Sequence, residues 1–181
     1  MRCWLRHERC LCSLMPRVDA RTQVLLVRHA AERFKASNTG RLAVAAIAGA
    51  QLMDYATESR QPGMPELAGA ASDGRTWLLY PDGEPLAAPP PGLARLVVVD
   101  GTWPQARRML QRIPELRGMP RLSLPPPPEP LRRLRQTKEE AQMSTLEAIA
   151  QALAWLEGWD LAAPLFTLHQ TFVDRAAPNP A

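Results

Sequence analysis

The sequence predicts an α/β domain with a mostly parallel sheet flanked by helices. Two observations carry this prediction. Apolar, β-branched runs alternate with segments of helical period, the pattern of repeated strand–helix–strand units. Three of those runs stop at a polar or turn residue, namely His29, Pro81 and Asp100. Candidate ligand positions therefore collect at the carboxyl ends of strands, where parallel sheets bind ligands. The 181 residues, 46% of them hydrophobic, are enough for one core of ordinary size.

Taken in order, residues 1–16 form a polar, cysteine-rich segment, and 17–181 form the main domain. Thr22–Ala30 reads as a buried strand ending at His29, and Glu32–Gly40 has loop chemistry. The alanine- and leucine-rich stretch Arg41–Ala56 predicts a helix. Residues 57–74 carry proline and glycine and read as irregular. Arg75–Pro81 predicts a second strand, and Leu93–Asp100 a third and strongest one. A helix follows over Trp103–Ile113, then a short fourth strand over Pro120–Leu124. Beyond the proline run 125–128, Ser144–Gly158 predicts a helix with Leu146, Ile149, Ala150, Leu153 and Leu156 on one face and Gly158 as its stop. Pro164–Ala176 predicts the last helix.

The net charge of +4 permits a polyanionic partner without demanding one. No apolar run approaches the roughly 18 residues of a membrane span, and "MRCWLRHERCLC" is too charged for a signal peptide. The expectation is a cytoplasmic protein with no membrane association and no obligate protein partner. In that compartment cysteines stay reduced.

The stretch "VVVDGTWPQAR" combines a strand end with a helix start. Thr102 and Gln105 fit a capping box, and Pro104 suits a first helical turn. Gly101 permits a close turn. Asp100 and Trp103 are not explained by capping. Asp100 is either a structural carboxylate tying down the loop or a functional one at the ligand edge. Ser144–Glu147, "STLE", is a second capping box, and such a helix start also suits an anion. "KASNTGRL" offers Lys35, Ser37, Asn38 and Thr39 ahead of a helix, as phosphate contacts or as caps, without Walker spacing. Cys3, Cys10 and Cys12 lie within ten residues, with no cysteine elsewhere, which is a zinc signal. A closed zinc site takes four ligands, so either His7 is the fourth or a ligand is missing.

The ordered set "CLC" (10–12), His29 with Glu32, "SNTGRL" (37–42), "LLYP" (78–81), "DGTW" (100–103), "RLR" (133–135) and "STLEA" (144–148) resembles the DTW-domain family of tRNA-uridine aminocarboxypropyltransferases. The compact, arginine- and alanine-rich composition is similar to bacterial members. The resemblance implies a SPOUT-like fold with a knotted cofactor site. It also implies transfer of the 3-amino-3-carboxypropyl group of S-adenosylmethionine to N3 of a tRNA uridine, with methylthioadenosine released. Two departures stand out. The family has a Cys-x-x-Cys pair before its Cys-x-Cys, and Cys3 matches the second member. The first would fall before Met1, so zinc is expected below one equivalent in these 181 residues unless His7 substitutes. Arg132 stands where the family often has an aromatic residue.

The resemblance implies roles for individual residues. Asp100 is the candidate general base, and Trp103 the stacking or sulfonium-facing aromatic. Gly101, Thr102, Pro81, Arg135, Ser144, Thr145 and Glu147 are candidates for S-adenosylmethionine. His29, Lys35, Asn38, Thr39, Arg107, Arg132 and Arg133, with Arg108 beside Arg107, are candidates for tRNA, and Cys3, Cys10 and Cys12 for zinc. Two other readings remain: a SPOUT-like RNA methyltransferase using the same co-substrate, and a non-catalytic, zinc-containing RNA-binding module.

Overall fold

In the computed structural model of the chain, residues 3–56, 64, 67–82, 85–125 and 143–176 are described. Five parallel strands form one sheet: β1 (Gln23–His29), β2 (Gln51–Tyr55), β3 (Thr76–Leu79), β4 (Arg95–Asp100) and β5 (Arg121–Leu122). Their order across the sheet is β2-β1-β4-β3-β5. The helices are α1 (Gly40–Ala46), α2 (Trp103–Arg112), α3 (Pro114–Arg117), α4 (Thr145–Glu157) and α5 (Trp159–Ala176). The α/β class and the parallel sheet expected from the alternating pattern are both present.

Contacts divide the chain into two compact units. One comprises Arg21–Phe34 and Gly49–Pro125 and holds the sheet, α2 and α3. The other comprises Met1–Ala20, Lys35–Ala48 and Pro126–Ala181, and holds the cysteine segment, α1, α4 and α5.

In the sheet unit, Leu25, Val27, Leu78 and Val97 stand on one sheet face and pack with Met109, Leu110, Ile113 and Leu116 from α2 and α3. Alternation along the strands sends Leu26, Arg28, Leu96, Val98 and Asp100 to the opposite face, where all are buried. Buried on both faces, β1 and β4 read as continuous apolar runs rather than alternating ones.

In the other unit, α4 and α5 pack against each other, and α4 also meets α1. Gly158 ends α4 as expected, with φ +106 and its N–H on the Ala154 carbonyl. The last helix starts at Trp159 rather than Pro164. Pro164 removes only the backbone bond to the carbonyl of exposed Asp160, near the first turn, where its loss is tolerated.

The helix expected over Arg41–Ala56 is corrected. It ends at Ala46, because Val18 captures the chain there: Val18 N–H donates to Ala46 O and Ala48 N–H donates to Val18 O. Gly49, at φ +73, turns the backbone, and Gln51–Tyr55 then pairs with Leu25–His29 as β2, a strand the sequence reading did not include. Alanine's helix propensity is a weak bias that a sheet edge offering unpaired backbone groups overrides.

Candidate functional site

From β1 the chain leaves toward β2, on one side of the sheet, and from β4 it leaves past β3 to β5, on the other. The carboxyl ends of β1 and β4 therefore flank the point where strand order reverses. In open parallel sheets that point is the ligand crevice. His29 ends β1 and Asp100 ends β4.

Asp100 is only 3% exposed. It registers with Arg28 on β1, which in turn registers with Asp54 on β2. Residues in register across parallel strands share a sheet face, so Asp54, Arg28 and Asp100 form one row. Within it Arg28 is committed to Asp54: Nε donates to Oδ1 at 2.7 Å and Nη2 to Oδ2 at 3.1 Å. This two-point geometry is the strong form of an arginine–carboxylate pair. Sequence reasoning missed both partners. The signal for Arg28 was a charge inside the buried run "VLLVRH", which must be paired. Asp54 was hidden by the helical reading of its segment.

Gly101 is favoured by tight space rather than by a left-handed turn. A Cβ there would lie 3.1 Å from Gln105 Cβ and Oε1 and 3.4 Å from His29 Cβ. Gln105 Oε1 accepts from Thr102 N–H at 2.7 Å, so the expected box starts α2. His29 Nδ1 accepts from Ala31 N–H at 3.2 Å and so caps the turn Ala30–Glu32, in which Glu32 is buried. That bond assigns the ring proton of neutral His29 to Nε2.

Trp103, half-buried, meets half-buried Tyr80 edge-on, with ring centroids 6.1 Å apart at 65°. The Arg121 guanidinium lies 5.9 Å over Tyr80 and 3.5 Å from Asp82, and it donates to Leu116 O. Pro81 is exposed just past β3, and Arg107 and Arg108 are exposed on α2. The sheet unit thus carries a buried carboxylate, an aromatic pair and the cations Arg107, Arg108 and Arg121.

In the other unit, the side chains of "SNTGR" bond within the chain. Asn38 Oδ1 accepts from Arg41 N–H, and Thr39 Oγ1 accepts from Leu146 N–H in the first turn of α4. The Arg41 side chain, 7% exposed, donates to Lys35 O, Ala36 O and Cys3 O. The capping box at Ser144 is complete: Ser144 N–H donates to Glu147 Oε2, and Glu147 N–H to Ser144 Oγ. With Leu146 N–H held by Thr39 as well, this helix start spends its donors within the chain, beside Thr145. Arg132, Arg133 and Arg135 lie outside the described residues.

The three cysteine sulfurs converge within 4.8 Å of one another. Cys3 Sγ lies 3.7 Å from Cys10 Sγ and 3.6 Å from Cys12 Sγ. Tetrahedral zinc–thiolate bonds of about 2.3 Å give a sulfur–sulfur edge of about 3.8 Å, so the three cysteines fit three of the four positions of a zinc site. Leu11 N–H donates to Cys3 Sγ and Cys12 N–H to Cys10 Sγ, donors that favour thiolates. The Cys12 N–H lowers the Cys10 pKa, but the neighbouring Cys12 and Cys3 thiols outweigh it and raise Cys10 above its ordinary value. His7 is exposed and is not a member of the cluster.

These features define an α/β protein with a topological switch point between β1 and β4 and a candidate structural metal centre. The family model for the DTW domain matches residues 1–177, essentially the whole chain. The chain belongs to the DTW-domain family, a family of tRNA-modifying transferases. No solved structure matches the chain. Among the described residues, no helix is long and apolar enough to cross a membrane.

Proposed function

We propose that the chain transfers the 3-amino-3-carboxypropyl group of S-adenosylmethionine to N3 of a uridine in tRNA. The carrying observation is a buried aspartate, Asp100, at the switch point of a parallel sheet in a DTW-domain chain.

The chemistry assigns work to particular residues. Uridine N3 carries a proton at neutral pH and attacks only as that proton leaves. Asp100 takes it as general base. The N3–Cγ bond forms as the Cγ–sulfonium bond breaks, and the electron pair returns to sulfur, giving neutral methylthioadenosine. Attack at the methyl carbon instead would be methylation, so the site must present Cγ and hide the methyl. Trp103, braced by Tyr80, supplies the aromatic wall beside Asp100, Gly101, Thr102 and Pro81. Arg135 and Thr145 receive the amino-acid carboxylate, with Ser144 and Glu147 fixing the helix start. Zinc would be held by Cys3, Cys10 and Cys12 and would order the amino-terminal segment. His29, Lys35, Arg107, Arg108, Arg132 and Arg133 contact tRNA, while Asn38 and Thr39 shape the loop that carries Lys35. Reduced thiols at the metal cluster suit the cytoplasm.

Incubation with S-adenosylmethionine and bulk tRNA tests this. Methylthioadenosine as by-product supports it. S-adenosylhomocysteine would make the chain a methyltransferase, and tRNA binding with no turnover a binding module.

A further inference from the structure

Trp4 is the described non-glycine residue with positive φ, at +59. Bulky residues rarely adopt this conformation, and where one does the surroundings must enforce it. Here they do. Arg41 donates to the carbonyl of the preceding residue, Cys3, from Nη2 at 2.6 Å and from Nε at 3.2 Å. The same guanidinium holds Lys35 O at 2.7 Å and Ala36 O at 2.5 Å, and lies 5.9 Å over the Trp4 ring. Arg175 donates to Cys10 O, pinning the other end of the segment. All this fixed backbone serves an indole that is not buried: Trp4 is 46% exposed. The segment 3–12 around it carries Arg6, exposed, and Arg9, half-buried, with Glu8 its sole acid.

We infer that Trp4 is a nucleobase-stacking residue, presented by the Arg41 clamp to an unpaired base of the RNA substrate. An indole held rigid at the surface loses little entropy on stacking, accepts any base, and is flanked by charges that suit a phosphate backbone. The Arg41 guanidinium over the ring keeps the indole oriented and makes the platform cationic. A strained, exposed aromatic carried by a clamped backbone is costly for a purely structural segment and useful for a recognition one. The inference rests on the reading of the chain as a tRNA-modifying enzyme and assigns the cysteine-bearing segment a direct contact with that tRNA.

The test compares Trp4→Leu and Trp4→Phe in the full chain, with zinc content and melting temperature measured beside affinity for bulk tRNA. Trp4→Leu is expected to weaken binding about tenfold, and Trp4→Phe to stay within about threefold of the parent, because stacking needs an aromatic face rather than bulk. Trp159→Leu serves as the control. Trp159 is equally conspicuous at the surface, but it stacks on Phe166 at 4.8 Å and sits between Glu157 and Asp160, so its loss leaves affinity unchanged. A fully paired RNA duplex, offering no free base, is expected to bind both Trp4 variants and the parent alike. Unchanged tRNA affinity in Trp4→Leu, or an equal loss in Trp159→Leu, overturns the inference and leaves the proposed reaction standing. A parent chain that binds no tRNA overturns both.

Discussion

Arg28 and Asp54 form a two-point ion pair, at 2.7 and 3.1 Å, between adjacent strands, and Asp100 stands next in the same row. The side chain of Arg28 is 9% exposed and that of Asp54 30%. Removing one partner of a buried pair leaves the other charge uncompensated, which is worse than losing a surface pair. Asp54→Ala is therefore expected to cost about 2 kcal/mol, discounted from the fully buried case because Asp54 reaches solvent. It also frees a guanidinium to turn to Asp100, so transfer should fall more than stability alone explains. Denaturant unfolding and single-turnover rates check both, and unchanged values in each would remove the pair from the account.

Gly101→Ala is expected to destabilise the chain by about 1–3 kcal/mol, because the added methyl overpacks against Gln105 and His29. Gln105 cannot retreat without giving up the Thr102 N–H that it caps. A melting temperature equal to that of the parent would show that this end of the sheet is looser than described.

Thr39→Val keeps shape but leaves Leu146 N–H without its hydroxyl acceptor. The expected loss is about 1–3 kcal/mol of stability. Affinity of the folded chain for tRNA should be unchanged if Thr39 is architectural. Weaker tRNA binding with parental stability would make Thr39 an RNA contact instead.

How legible was this molecule in its sequence? The strand end at Asp100 and the caps at Thr102 and Ser144 could be read because they depend on residues three or four apart. β2 could not, because Ala43–Ala50 looks helical until a sheet edge competes for its backbone. The pairing of Arg28 spans 26 residues, and Arg41 answers to carbonyls up to 38 residues away. Backbone acceptors leave no trace in residue type. The role of Trp4 was equally hidden, since a φ angle is invisible in composition.

Zinc binding should tighten with rising pH, because each thiol must lose its proton and Cys10 holds its proton above the ordinary range. The sign follows from the raised value: competition for the metal by protons persists to higher pH than for an isolated cysteine. Cys12→Ser should weaken zinc severely and lower the melting temperature. A chelator competition that gives the same affinity at neutral and alkaline pH would contradict the thiolate site.

The central claim is that the chain transfers the γ-carbon group rather than the methyl, with Asp100 as the general base on uridine N3. It is tested most directly with S-adenosylmethionine labelled either in its carboxyl or in its methyl group, offered to the parent and to Asp100→Asn. The account predicts carboxyl label, and no methyl label, in tRNA. It also predicts a rate about 10²–10⁴-fold lower in Asp100→Asn, the usual cost of a lost general base, with the fold retained. Methyl label in tRNA, or parental turnover by Asp100→Asn, would contradict it.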